Sequence, residues 1–194
     1  YRDEAERLIW SLVKTAEGDN LGDCPKASGD IGFDGYFKGG DTWKEMTDFA
    51  TGWCPDGPQF NGPNTQHIDY TAPSYFACFA SYLQARGHAA GSFEVTQFLK
   101  ARASSNWLMG QMHAQNLIPT AGWATVTGSS ASFSNFVDGE DFRNPWRTVL
   151  DWVWNGNPTT SWDPATHTIT AAGNTSEYDI GRRMAQFMKD PVSF

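Results

Sequence analysis

The amino-acid sequence predicts an all-α fold. Apolar residues recur at helical spacing in five segments of the 194-residue chain, whereas the period-two alternation that marks a half-buried strand is almost absent. A hydrophobic content of 40% and a charged content of 19% are typical of a globular chain rather than a disordered one. The length is that of a single domain in which helices form the scaffold.

The first three predicted helices lie in the first two thirds of the chain. In residues 4–16, one apolar stripe is formed by Ala5, Leu8, Ile9, Leu12 and Val13. The second helix covers residues 74–86 and stops at Gly87, because glycine is favoured just after a helix. The third covers residues 93 to about 113 and is longer than an average helix.

The fourth predicted helix covers residues 145–154, with Asn144 as its N-cap and Pro145 at its first position. Its apolar side consists of Trp146, Val149, Leu150 and Val153. Arg147 and Asp151 are four residues apart, a spacing that predicts a weak ion pair on the surface. A fifth helix is predicted over residues 176–189.

The connections between the helices are long, above all the one from Gly18 to Thr71. Structureless loops of that size in a compact domain are uncommon and usually functional. Cys24 and Cys54 both precede proline in this connection, which would allow one disulfide and would then indicate an oxidising compartment. Cys78 lies in an apolar run and is expected to be a small buried residue.

Charge and residue spacing exclude several classes of protein. The formal charge of −8 argues against nucleic-acid binding, which needs a basic surface, and against a lyase that acts on acidic sugars. No apolar run is long enough to cross a membrane. The four histidines have no metal-ligand spacing, and the acidic loop segments miss the EF-hand pattern. Neither a metal nor a cofactor is predicted.

Aromatic residues are unusually frequent, with 9 Trp, 6 Tyr and 13 Phe. A core accounts for most of them. The others lie beside Gly, Asp and Asn in the connections: Trp43, Trp53, Tyr70, Trp123 and Trp162. Aromatic faces stack on sugar rings, while carboxylates and amides bind hydroxyl groups. The combination predicts a carbohydrate cleft formed by long loops on a helical scaffold.

Three segments, in order, resemble glycoside hydrolase family 8. IDYTAPSYFACF (Ile68 to Phe79) resembles the family's Asp/Asn-Pro-Ser-Tyr-Phe segment, and NLIPTAGW (Asn116 to Trp123) resembles its Gly-Leu-Val-Pro-Asp-Trp segment. EDFRNPWRTVLDWVWNG (Glu140 to Gly156) resembles its Asp-Ala-x-Arg-x-Pro-Trp-Arg signature and the helix that follows. The order and spacing agree over nearly the whole chain.

The resemblance implies part of an (α/α)6 barrel, an α-toroid, with a long cleft across one end. It implies a secreted, inverting endo-β-1,4-glycanase whose substrate is a polysaccharide such as cellulose, mixed-linkage glucan, xylan or chitosan. Such an enzyme protonates the leaving oxygen with one carboxylic acid, while a second carboxylate activates water on the other face of the sugar.

The resemblance also implies catalytic residues in the signature segment. The family's general base is an Asp three residues before the first Arg, and Glu140 holds that position relative to Arg143. Either Glu140 serves directly, or the turn is shifted and Asp141 points inward; Asp138 is a third candidate. Arg143 and Arg147 are expected to pair with carboxylates that hold the turn. Without the resemblance, the carboxylates would simply favour the positive end of the following helix.

Three aromatic residues of the matching segments, Tyr70, Tyr75 and Trp123, are expected to line the cleft and bind the substrate, together with Arg143 and Arg147. An alternative remains for Tyr75, which could be a core ring on the helix face that carries Phe79 and Tyr82.

Two family segments have no counterpart in this sequence. They carry the general acid, in Glu-Gly-x-x-Tyr-Gly, and a sugar-binding Asp, in Asp-Gly-Asp-x-Asp-x-Ala. Residues 1–194 are therefore expected to be a single domain that is the middle-to-later portion of a larger catalytic domain, completed by a companion polypeptide segment. The alternative is a non-catalytic glycan-binding protein that kept the cleft and lost the acid.

Overall fold

A computed structural model describes residues 1–13, 31–32, 34–37, 65–115, 117, 123–134, 143–171, 180–182, 185–186 and 189. Several predictions lie outside these residues, namely the base candidates Asp138, Glu140 and Asp141 and the cysteine pair Cys24 and Cys54.

The described residues form four named α-helices and five short strands. In chain order they are α1 (Arg2–Ser11), β1 (Thr65–His67), a 3-10 turn (Ile68–Tyr70), α2 (Pro73–Ala85), α3 (Phe93–Ala114), β2 (Trp123–Thr127), β3 (Ser130–Phe133), α4 (Arg143–Asn155), β4 (Ser161–Asp163) and β5 (Thr168–Thr170). Residues 180–182, 185–186 and 189 are also helical, within the predicted fifth helix.

The prediction of an all-α fold is wrong. Two small antiparallel sheets accompany the helices, so the structure is mixed α and β. One sheet has the strand order β1-β2-β3, and the other pairs β4 with β5. In the first sheet Thr65 lies opposite Thr125, and Thr127 lies opposite Ser130.

The strands are hard to recognise in the sequence because they are short, at three to five residues each. In β2 the burial pattern does alternate, with Ala124 and Val126 buried between more exposed neighbours, but Ala, Thr and Ser give that alternation little hydropathic contrast. The two-residue connection to β3 begins with Gly128 at φ 57°. Glycine at the first position of a two-residue turn is a hairpin signal, because the backbone there needs a positive φ.

Helix α3 is the centre of the described structure. Its N-terminal half contributes Val95, Phe98 and Ala101 to one apolar core, completed by Val13, Ile31, Phe76, Ala80 and Leu83; this is called the α1-side core. Its C-terminal half contributes Ala103, Leu108, Met109 and Met112 to another, completed by Tyr36, Ile68, Ala124, Val126, Ala131, Trp162 and Ile180; this is called the sheet-side core. No helix in the described part of the chain is long and apolar enough to span a membrane.

Helix α4 is oriented the opposite way from the prediction. Its buried residues are the polar Asn144, Thr148 and Asp151, whereas Trp146 and Val153 of the expected core-facing side are 60% and 62% exposed. The polar side is buried because α3 and the 3-10 turn offer it hydrogen-bonding partners.

Three local predictions are corrected as well. Asn144 is not the cap of α4, because the helix already begins at Arg143. Asp151 does not form a surface pair with Arg147: it is fully buried and accepts a hydrogen bond from Arg102 Nε at 2.9 Å. Cys78 is exposed rather than buried, and its thiol is free.

Candidate functional site

Two of the segments that carry the family resemblance meet in the structure, although they lie about seventy residues apart in the chain. Asn144, in the first turn of α4, donates from Nδ2 to Asp69 Oδ1 of the 3-10 turn at 2.6 Å. Both side chains are buried. An amide–carboxylate bond in such a protected position is worth more than an exposed one, because water cannot replace either partner.

Arg147 makes the second connection between these segments. Its Nη1 donates to the carbonyl oxygens of Asp69, at 2.5 Å, and Thr71, at 3.2 Å. Thr71 in turn donates from Oγ1 to the carbonyl oxygen of Ile68 at 2.8 Å, which closes the 3-10 turn. Arg147 therefore connects α4 to backbone carbonyl oxygens of the segment that precedes α2. The carboxylates of the signature turn with which it was expected to pair lie outside the described residues.

Arg143 begins α4 and lies on the exposed side of the same junction. Its guanidinium carbon lies 5.9 Å from the centre of the Tyr70 ring, within the range of a cation–π interaction. Tyr70 is 43% exposed. Two of the predicted substrate-binding residues are therefore in contact, and both are accessible from solvent.

Further aromatic rings are exposed on α2 and α4. Tyr75 of α2 and Trp154 of α4 form an edge-to-face pair with ring centres 5.7 Å apart, and both rings are more than 40% exposed. Trp146 lies two helical turns before Trp154, and its ring is exposed as well. We call Tyr70, Tyr75, Trp146 and Trp154 the aromatic face. Its exposure rules out the alternative in which Tyr75 is a core ring.

Trp123 lies differently from the two tyrosines. It is the first residue of β2, is half-buried, and is paired in register with His67 at the end of β1. Because the 3-10 turn follows His67 directly, the start of β2 lies beside the turn that carries Tyr70. Trp123 therefore lies near the junction because its strand pairs with β1, and it is not a member of the aromatic face.

A buried polar network lies behind α4 and was not foreseen from the sequence. Asp151 accepts hydrogen bonds from Arg102 Nε at 2.9 Å and Asn106 Nδ2 at 3.2 Å, both in α3, and from Asn155 Nδ2 at 2.6 Å. The available signal was the row of polar residues at positions 144, 148, 151 and 155, which recurs at helical spacing on one side of α4. This network fixes the rotation of α4 and so points its tryptophans outward.

The base candidates Glu140 and Asp141 precede Arg143 by three and two residues and lie outside the described part of the chain. Among the described residues, no group of three or more His, Cys, Asp or Glu side chains is placed to hold a metal ion. The chemistry available at the junction therefore consists of an exposed aromatic surface, two arginines and the anchored start of α4.

Comparison with protein-family models, with curated proteins and with solved structures gave no match to this chain.

Proposed function

We propose that this chain binds a β-1,4-linked polysaccharide and forms part of a secreted inverting glycanase that cuts internal bonds of glucan, mixed-linkage glucan or xylan. The observation that carries the proposal is the aromatic face at the junction of the matching segments. The resemblance to glycoside hydrolase family 8 in those segments supplies the reaction type.

The composition of the aromatic face favours a sugar over another ligand. Tyr and Trp combine a broad apolar ring with a polar tip, so they can stack on the apolar face of a pyranose and still hydrogen-bond its hydroxyl groups. Arg143 adds hydrogen-bond donors beside Tyr70. The rings are separated along α4, because the eight residues from Trp146 to Trp154 span about 12 Å. An elongated row of rings suits a chain of sugars better than a single one.

The proposed reaction uses the residues just before α4. Glu140, or Asp141 in its place, acts as the general base that activates water, and a companion polypeptide segment supplies the general acid. General-base catalysis needs accurate placement of the carboxylate, and small displacements cost large factors in rate. The hydrogen bonds that Asn144 and Arg147 donate to Asp69 anchor the helix that directly follows this segment. That anchoring supports a role for the segment in catalysis.

Sugar binding is tested by calorimetric titration of the chain with cellohexaose and xylohexaose. Trp154→Ala and Tyr75→Ala should each weaken binding by about tenfold, since a ring contact of about 1.4 kcal/mol corresponds to that factor. Phe93→Ala is the matched control, because Phe93 has a similar exposure of 42% but belongs to α3. Equal affinity in all three variants would contradict the role of the aromatic face.

Catalysis is tested in the native host, in the protein isolated together with any polypeptide that accompanies it. Glu140→Gln should lower turnover on β-glucan or xylan by at least about a hundredfold, the usual scale for lost proton transfer, while Asp141→Asn leaves most of it. The reverse outcome would assign the base to Asp141. If the wild-type protein isolated together with its companion bound the sugar but did not hydrolyse it, the chain would be a non-catalytic glycan-binding protein instead.

A further inference from the structure

A second polar cluster surrounds His88. This residue lies in the turn between α2 and α3. Its Nδ1 is 2.5 Å from Glu94 Oε1, and its Nε2 is 2.9 Å from Glu6 Oε1. A neutral imidazole has one N–H and one acceptor nitrogen, so it can donate to only one of the two carboxylates. Only the imidazolium ion, with an N–H on each nitrogen, satisfies both contacts.

The cluster connects three segments of the chain. Glu6 belongs to α1 and Glu94 to the first turn of α3, while Arg86 directly follows α2. Arg86 donates from Nε to Glu6 Oε2 at 2.8 Å and from Nη2 to Asp3 Oδ1 at 2.7 Å. His88 therefore shares Glu6 with Arg86, whose guanidinium stays charged. His88 also contacts Glu94, and in this way it connects α1 to α3.

Helix α1 depends on these contacts because it is weakly embedded. None of its residues is buried. Ile9, Trp10 and Leu12 pack from outside against the α1-side core, and the Tyr82 hydroxyl donates to the carbonyl oxygen of Arg2 at 2.9 Å. The helix thus covers a core without entering it.

The charged groups that face His88 among the described residues are Glu6 from α1, Arg86 from the end of α2 and Glu94 from α3, with Asp3 paired to the same arginine. The Trp10 ring, centred 6.0 Å away, is the apolar neighbour. The Glu94 side chain is 8% exposed. Loss of the proton from His88 would leave this carboxylate facing a neutral ring in a largely buried position, which is unfavourable.

We propose that α1 is a pH-sensitive cover of the α1-side core, held by protonated His88 between Glu6 and Glu94 and loosened when His88 loses its proton. The hydrogen bonds that His88 donates to Glu6 and Glu94 raise the pKa of His88 above its ordinary value. A raised pKa in the folded state means that the stabilisation is fully present below the ordinary pKa of histidine, about 6.5. It is lost as the pH rises through the higher folded value.

The test is hydrogen exchange of the whole chain at about pH 6 and about pH 9, read by mass spectrometry and corrected for the intrinsic exchange rate. Protection of the α1 amides should fall several-fold at the higher pH, because the contacts of protonated His88 are lost. Protection of α3 should stay constant and reports that the fold is intact. Equal α1 protection at both pH values would overturn the proposal.

Two variants separate the effect of His88 protonation from a general loosening of α1. His88→Gln should lower α1 protection at pH 6 to the wild-type level at pH 9 and abolish the pH dependence. Arg86→Gln is the matched control: it removes a cation that stays charged over this range, so it should loosen α1 at both pH values and leave the pH dependence in place. A His88→Gln protein that keeps the wild-type pH dependence would also overturn the proposal.

A measurement on the unmodified protein covers the case in which His88→Gln does not fold. The imidazole 13C resonance of His88 is titrated by NMR in the native chain and in urea. The native midpoint should be the higher of the two, and α1 amide shifts should follow the same midpoint. A native midpoint equal to or below the value in urea would contradict the proposal.

Discussion

Asp151 shows how one residue can orient a helix. Its carboxylate is fully buried and satisfied by Arg102, Asn106 and Asn155. A buried carboxylate is tolerated only when its charge and lone pairs are matched in this way. These bonds hold the polar side of α4 against α3 and turn its tryptophans towards solvent.

Asp151→Ala should therefore destabilise the protein by about 3 kcal/mol, because it leaves the Arg102 charge and two amides without their partner. The free energy of unfolding in urea measures the effect. Glu4→Ala provides the comparison, since the Glu4–Arg7 pair has the same charges but side chains that are 58% and 66% exposed. No measurable change is expected there. If both variants lose equal stability, the burial argument for Asp151 fails.

Gly35 is a second residue whose identity is required by its surroundings. Its φ of 77° is unfavourable for other residues, and a Cβ atom would lie 2.7 Å from Trp162 Cη2 and 3.0 Å from Lys100 Cβ. Trp162 cannot easily move, because its Nε1 donates to the Tyr36 hydroxyl at 2.9 Å. Burial raises the pKa of that Tyr36 hydroxyl, which remains protonated.

Gly35→Ala should cost about 2–4 kcal/mol, from unfavourable φ and from overpacking together. Gly128→Ala isolates the first contribution: Gly128 also has a positive φ, of 57°, but a Cβ atom added there would have no neighbouring atom within 4 Å. That variant should cost about 1–2 kcal/mol. Thermal unfolding of both variants measures the two losses of stability. Equal losses would show that the Trp162 side chain moves to make room for the added methyl group.

At the scale of elements, α3 connects the parts of the structure. Its two halves supply side chains to the two apolar cores, and α2 packs along it. A helix buried on several sides carries apolar residues around most of its circumference, so it has no single polar face. In α3 even Ser104, Ser105 and Asn106 are buried. The stability of the whole described structure should therefore depend strongly on this helix.

Two phenylalanines of α3 test that dependence. Phe98 is fully buried and packs edge-to-face against Phe79 with ring centres 5.4 Å apart, so Phe98→Ala should cost about 3–5 kcal/mol. Phe93→Ala, at the exposed first position of the same helix, should cost roughly 1 kcal/mol or less. Urea unfolding of the two variants gives the comparison. A small loss at Phe98 would show that the α1-side core contributes little.

At the scale of the whole molecule, the exposed aromatic rings of α4 indicate a binding surface. Large exposed apolar patches on a protein mark surfaces that bind something. We propose the polysaccharide as the occupant of the aromatic face and a companion segment as the source of the general acid. The first is tested by oligosaccharide titration, and the second by activity of residues 1–194 without any companion.

Residues 1–194 alone should show no hydrolysis of β-glucan or xylan, because the proposed companion segment is the proton donor to the leaving oxygen. Reducing-sugar release over a long incubation is the measurement, and the aromatic face should still bind cellohexaose. A purified chain that hydrolyses either polysaccharide would remove the need for a companion and would place the acid within these residues.

The positions of α2 and α3 follow from local patterns in the sequence, since apolar spacing and Gly87 are properties of neighbouring residues. The same spacing locates α1, although that helix ends at Ser11 rather than running to residue 16. The segments around Tyr70, Tyr75, Arg143 and Arg147 were selected by their resemblance to a known family and not by these patterns. The strands were missed because pairing between β1 and β2 joins residues about sixty positions apart, and short strands of Thr, Ser and Ala carry little hydropathic contrast.

The side of α4 that is buried depended on long-range contacts alone. Hydropathy predicts that Trp146 and Val153 face the core, because burying apolar area is the largest general contribution to stability. In this protein the opposite side of α4 meets Asp69 and Arg102, whose polar groups need partners wherever water is excluded. Local sequence therefore determines that α4 is a helix, while its hydrogen-bonding neighbours determine which way it faces, since a buried polar group without a partner costs more than an exposed ring.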